Sequence, residues 1–137
     1  MAVQVLTNCY VLINSVDLSD HVESVELDVD IDDVESTNFG SSGWREYQSG
    51  LKKGTIKITF QQDYAPAKVD ATVWAAIGTS VPFELRDTNA AVSATNPKYT
   101  GNLRVNGYPS VVGGKVGELG KTSVTWPTTG TVSRATS

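Results

Sequence analysis

The chain has 137 residues, of which 39% are hydrophobic and 19% charged, with a formal net charge of −4. That is enough for one domain with a modest core, and the balance excludes a disordered or lipid-embedded chain. No apolar run approaches the roughly 20 residues of a membrane-spanning helix, the first residues lack the basic and apolar regions of a signal peptide, and a lone cysteine, Cys9, excludes an internal disulfide and fits a reducing compartment.

Strand signals dominate in chain order. Short apolar runs at about 3–6 and 9–13 precede Asn14-Ser15, a pair suited to a two-residue turn into Val16-Asp17-Leu18. Ser24-Val25-Glu26-Leu27-Asp28-Val29-Asp30-Ile31-Asp32 then alternates without a break. Such a period of two is a half-buried strand, expected over about 22–31. Its wet face carries Glu26, Asp28, Asp30 and Asp32. Four like charges on one face repel, and aspartate is a poor strand former, so the acidic surface itself is a candidate functional feature. Residues 20–35 hold eight acids and no Lys or Arg, whereas the remaining 7 acids and 11 bases leave the rest of the chain at +4. This asymmetry fits head-to-tail self-association or one face kept negative; a solvated strand without a role is the plain alternative.

Glycine, serine and asparagine in Asn38-Phe39-Gly40-Ser41-Ser42-Gly43-Trp44 predict a long loop over about 33–50. Residues 55–61 alternate again, with Ile56, Ile58 and Phe60 opposite Thr55, Lys57, Thr59 and Gln61. The two patterned strands read as a hairpin whose connection far exceeds the usual length, and such loops are functional or disordered. Phe39, Trp44 and Tyr47 make this one a candidate anchor on a partner surface, the alternative being that they fold back onto their own domain.

One helix is predicted over about 67–77, with Val69, Val73, Ala76 and Ile77 on one face and Trp74 beside them. Pro66 suits its start and Gly78 its stop, with Asp63 or Asp70 as cap. Strands follow at about 81–86, where Pro82 marks an edge or a first residue, at about 98–105, burying Tyr99, Leu103 and Val105, and at about 121–126, with Thr122, Val124 and Trp126 on one side. Asn106-Gly107 is a turn signal. Residues 127–137, rich in Thr and Ser, read as a flexible tail. The chain is expected to be a single domain over 1–137, mainly β: an antiparallel β-sandwich or distorted barrel with one flanking α-helix.

Catalytic chemistry finds no support. The one histidine, His21, has acidic neighbours but no nucleophile to serve, and at the start of a strand it reads as a solvated residue. No Cys/His set suits zinc. Asp28-x-Asp30-x-Asp32 resembles the start of a calcium loop, but the required glycine and glutamate positions hold Asp33 and Phe39. Gly113-Gly114-Lys115 lacks phosphate-loop spacing, and the densest charge has the wrong sign for gripping nucleic acid. No enzyme activity, cofactor or metal is expected.

The order of pieces carries a resemblance. The hairpin and the helix are followed by Gly78-Thr79-Ser80-Val81-Pro82-Phe83-Glu84-Leu85-Arg86, then Ser93-Ala94-Thr95-Asn96-Pro97-Lys98-Tyr99-Thr100-Gly101, then Thr122-Ser123-Val124-Thr125-Trp126-Pro127. Over nearly its whole length the chain resembles the tail tube (major tail) proteins of long-tailed, non-contractile bacteriophages. The resemblance implies a structural virion protein, assembled in the host cytoplasm, whose homohexameric rings stack into a tube that conducts DNA during ejection. It implies that Glu26, Asp28, Asp30, Asp32, Thr55, Lys57, Thr59 and Gln61 face the lumen. Phe39, Trp44, Arg45 and Tyr47 would reach neighbouring subunits, and Lys57 would pair with an acidic side chain across the hairpin. Other copies of the chain are the main partner, with tape-measure, tail-tip and tail-terminator proteins beside them, and neither membrane nor specific DNA binding. The alternative is a β-sandwich binding module, such as a virion decoration or tail-tip protein, gripping its partner through loop 33–50.

Overall fold

A computed structural model describes residues 5–137. Its elements are β1 (Tyr10–Ile13), β2 (Val16–Asp17), β3 (Val22–Glu35), β4 (Tyr47–Gln61), α1 (Val69–Ala76), β5 (Ser80–Arg86), β6 (Lys98–Arg104) and β7 (Lys121–Ala135). All strand pairs are antiparallel, in the spatial order β2-β1-β5-β6-β7-β4-β3. Among the described residues the chain is mainly β with a single α-helix, as its patterning implied. Part of the strand expected at 3–6 lies outside the described residues; Val5 and Leu6 are not in a strand. No helix among the described residues is long and apolar enough to cross a membrane.

The sheet folds over at β7. The first half of β7 pairs with β4, from Gln61↔Lys121 to Thr55↔Pro127, and the second half pairs with β6, from Leu103↔Thr128 to Lys98↔Ala135. Within the β6-paired half, between Asn102↔Thr129 and Thr100↔Ser133, a register shift takes in Gly130, whose φ of 79° is a left-handed conformation that glycine adopts without strain. The 127–137 segment expected as a flexible tail is therefore the second half of a strand: threonine favours extended backbone, and β6 supplies the partner.

The folded sheet buries Val11, Ile13, Val81, Phe83, Leu85 and Leu103 against Ile56, Ile58, Phe60, Val124 and Trp126. Fully burying each such side chain contributes about 1.5–3 kcal/mol. Phe60 and Trp126 meet at a tilt with ring centroids 6.2 Å apart. The indole N–H of Trp126 donates to the Gly107 carbonyl at 2.9 Å, so its burial leaves no polar group unpaired. Thr122 bonds the Pro109 carbonyl, and Tyr64 and Gln62 both donate to the Val111 carbonyl. Residues 106–111 are thus held along the sheet, and Asn106-Gly107 makes no hairpin turn.

Helix α1 is shorter than expected. Val69, Val73 and Ala76 join the core, but Ile77 leaves the helix as its C-cap and is 42% exposed. Gly78, with φ 81°, ends the helix as its position implied. Asp63 makes its turn upstream, accepting from the Ala65 N–H, while its carbonyl accepts from the Asp70 N–H; the N-cap, Lys68, has no side-chain cap. Asn14 and Ser15, at φ 50° and 64°, form the expected turn. Pro82 sits inside an interior strand, not at an edge or first position. Its carbonyl accepts from the Asn14 N–H where β1 has already turned away, so the missing proline N–H costs no ladder bond to β1.

Candidate functional site: the hairpin and its acidic face

The hairpin β3–β4 is longer than its two patterned cores. Pairing continues from Val29↔Gly54 through Asp30↔Lys53 and Ile31↔Lys52 to Glu35↔Tyr47. A bulge sets the single residue Asp32 against Gly50 and Leu51. The expected loop at 33–50 therefore contracts to residues 36–46, and the rest is a strand pair. Glycines and lysines at 50–54 read as loop in isolation, but an antiparallel partner of the same length overrides that preference.

The outer face of this hairpin brings most of the expected stripe together. Glu26 lies opposite Lys57, Asp28 opposite Thr55, and Ser24 opposite Thr59. The Lys57 ammonium sits 3.8 Å from Glu26 and 3.9 Å from Asp28, the cross-hairpin pairing expected of it. Both contacts are long and solvent-exposed, worth at most about 1 kcal/mol each. Thr59 Oγ1 meets Ser123 Oγ at 3.1 Å, which carries the polar face onto β7. Gln61 ends β4 opposite Lys121, whose ammonium is 3.0 Å from Glu23. Asp32 stands further out, at the bulge.

Two cations escaped the sequence reading. Lys53 faces Asp30 directly, and Lys121 answers Glu23. Counting back by twos from Thr55 would have placed Lys53 on the polar face, had 50–54 been read as strand. Lys57 is therefore close to Glu26 and Asp28, Lys53 lies across the hairpin from Asp30, and Asp32 at the bulge has no lysine opposite, so the stripe is mixed near its middle and most acidic in composition along β3.

The inner face of the same hairpin changes character along its length. Val25 and Leu27 pack against the core, whereas Val29 and Ile31, next on that face, are exposed. Val34, Tyr47 and Leu51 are also exposed, the last at 81%. At about 3.3 Å per residue, the stretch from Val29 to Glu35 projects the arm about 20 Å past the packed body. Beside its root, Leu6, Cys9, Val25, Leu27, Leu85 and Tyr99 line an open groove. Cys9 is half-buried there, and burial, with Asp87 second, pushes its thiol up.

The tip of the arm is internally bonded. Asn38 caps a short 3-10 turn, accepting from the Gly40 N–H at 2.8 Å, and its own N–H donates to Ser41 Oγ at 3.1 Å. Ser41 Oγ donates to Glu46 at 2.8 Å, and the Glu46 N–H donates to Thr37 Oγ1 at 2.8 Å. This frame holds Phe39 and Trp44 outward at 106% and 78% exposure. Arg45 is also exposed, 3.6 Å from Glu35.

His21 differs from its expected solvated state. It is half-buried and lies 2.7 Å from Asp20 through Nδ1 and 2.7 Å from Asp63 through Nε2. The Asp20 hydrogen bond, with that to Asp63, raises its pKa above the ordinary imidazole value against the opposing effect of burial. Among the described residues, no three His, Cys, Asp or Glu side chains are grouped to hold a metal ion.

No family model matches the sequence, and no curated protein matches it at a significant level. Solved structures do match in fold. A chain of the virion of a native gene transfer agent particle superposes with a TM-score of 0.75 at 13% identity, covering 97% of this chain and 99% of that one. A chain in the tail of an empty gene transfer agent particle with C6 symmetry gives 0.60 at 14% identity, covering 82% of this chain and 81% of that one. At such identities the likeness is one of fold. The chain has the fold of these virion and tail components, consistent with the tail tube resemblance that its sequence carries.

Proposed function

We propose that the chain is a structural tail tube protein, six copies of which close into a ring, with rings stacking into a tube that conducts DNA. The observation that carries this reading is the arm: two strands leave the body with their apolar residues uncovered and present a bonded tip bearing Phe39 and Trp44. An isolated subunit gains nothing from such a surface, whereas a neighbouring copy would bury it. The fold shared with a chain of a C6-symmetric tail supports six copies.

Strand β3 adds a second argument. It is the last strand of the sheet, 14 residues long, and among the described residues only β4 pairs with it. A long free edge invites aggregation unless another chain pairs with it. In a ring, each β3 edge would pair with the next copy, and the sheets would join into an inner barrel. Glu26, Asp28, Asp30, Asp32, Thr55, Lys57, Thr59 and Gln61 would then line the lumen. Carboxylates there repel DNA phosphates, so the duplex passes without sticking. Lys53 and Lys57 limit the charge cost of repeating the stripe in every copy. Tape-measure, tail-tip and terminator proteins would complete the tail, assembled in the host cytoplasm.

The preformed tip also suits the alternative, a monomeric decoration or tail-tip module that grips a partner through Phe39 and Trp44. Electron microscopy of the concentrated, purified chain separates the two. Tubes or stacked rings are expected; a species that stays monomeric with tail-assembly partners added contradicts the tube. Asp28→Lys with Asp30→Lys tests the lumen: tubes still form, but DNA delivery slows, and unchanged delivery kinetics overturn the lumen assignment.

A further inference from the structure

The base of the β3–β4 hairpin holds a side-chain cluster that the tube reading does not use. His21 immediately precedes β3, and Asp63 lies two residues beyond the end of β4. Asp20 Oδ1 is 2.7 Å from His21 Nδ1, and Asp63 Oδ2 is 2.7 Å from Nε2. A carboxylate accepts hydrogen bonds and cannot donate them, so two short contacts need a proton on both ring nitrogens. A neutral imidazole has only one N–H and would turn a lone pair toward the other carboxylate. We propose that His21 is held as an imidazolium bridging Asp20 and Asp63, a clasp that closes the base of the hairpin and opens when the ring loses its proton.

The charged surroundings favour the doubly protonated ring. Asp20 comes from the 3-10 turn before β3 and Asp63 from the segment leading to α1. The cation near both carboxylates is Lys68, and both acids are held below the usual carboxylate value, Asp20 chiefly by its bond to His21 and Asp63 chiefly by its bond to the Ala65 N–H, with His21 second. Glu23, one step into β3, is engaged by Lys121. The His21 pKa is raised, so its contribution is fully present below the ordinary imidazole value of about 6.5 and is lost as pH rises through the higher folded value. The contributions of Asp20 and Asp63 are present above the ordinary carboxylate value and are lost as pH falls through their lowered values. The clasp is tightest between those limits and slackens on either side. Because Asp63 also turns the chain into α1 through Ala65 and Asp70, opening the clasp frees the hairpin base and the helix lead-in together.

The inference stands whether or not the chain forms a tube, and it is tested on the unassembled chain. His21 is the one histidine in the sequence, so a tag-free sample gives a single imidazole titration by NMR. Hydrogen exchange, corrected for intrinsic rates, reads the base at Val22, Val25, Ile58 and Phe60. The expected result is a His21 midpoint above about 6.5, with protection at the base falling severalfold over the same midpoint. Asp63→Asn, which keeps the shape, should lower the midpoint, and Asp20→Asn should do the same if the first variant fails to fold. His21→Gln should remove the pH step in protection. A wild-type His21 that titrates at or below the ordinary value, or base protection indifferent to its protonation, overturns the clasp.

Discussion

The root and the arm of the hairpin are one pair of strands with opposite energetics. At the root, Ile56, Ile58 and Phe60 are buried, and Val25 and Leu27 lean on them. In the arm, Val29, Ile31 and Leu51 belong to the same strands and are exposed. The difference lies in what is opposite. β7 pairs with β4 from Gln61 only as far as Thr55, and beyond that point no third strand among the described residues joins the hairpin on that side. A root built this way stabilises the subunit. An arm built this way adds surface whose burial needs another molecule.

That contrast breaks most sharply at the core. Phe60→Ala removes a fully buried ring that packs on Trp126 and should cost about 3–5 kcal/mol in urea unfolding; a loss under about 1 kcal/mol would mean that the root is not the structural half. Phe39→Ala with Trp44→Ala should do the reverse. Subunit stability should stay within about 0.5 kcal/mol, while sedimentation shows assembly lost. A large stability loss in that pair would place the tip against its own body. The smallest effect belongs to Lys57→Ala. Its two exposed ion pairs are long, so stability should fall by no more than about 1 kcal/mol, with the loss shrinking in high salt.

Legibility in the sequence followed the same divide. The period-two patterns of Val25–Leu27 and Ile56–Phe60 located the root because one face is buried there and alternation records burial, and the same alternation ran on into the arm at Val29 and Ile31, which the subunit leaves exposed. The stripe of Val69, Val73 and Ala76 located the helix for the same reason. The arm strands at 33–35 and 47–50 were read as loop because almost every side chain there is exposed and little burial constrains their residues. Residues 128–135 were hidden differently: their extended form depends on pairing with β6, a partner some thirty residues upstream. His21 was misread because Asp63 lies 42 positions away, and only the closed hairpin base brings the two together. Glu26, Asp28, Asp30 and Asp32 were visible as a stripe, whereas Lys53 was lost with the strand that carries it.

In the proposed tube the acidic face of the hairpin lines a lumen while its arm reaches a neighbouring copy. A helical reconstruction of the assembled chain by electron cryomicroscopy tests both halves at once. Rings of six are expected, with Glu26, Asp28, Asp30 and Asp32 facing the axis and with Phe39 and Trp44 buried against another copy. A tube with the acidic stripe on its outer surface, or with Phe39 and Trp44 still in solvent, would contradict it.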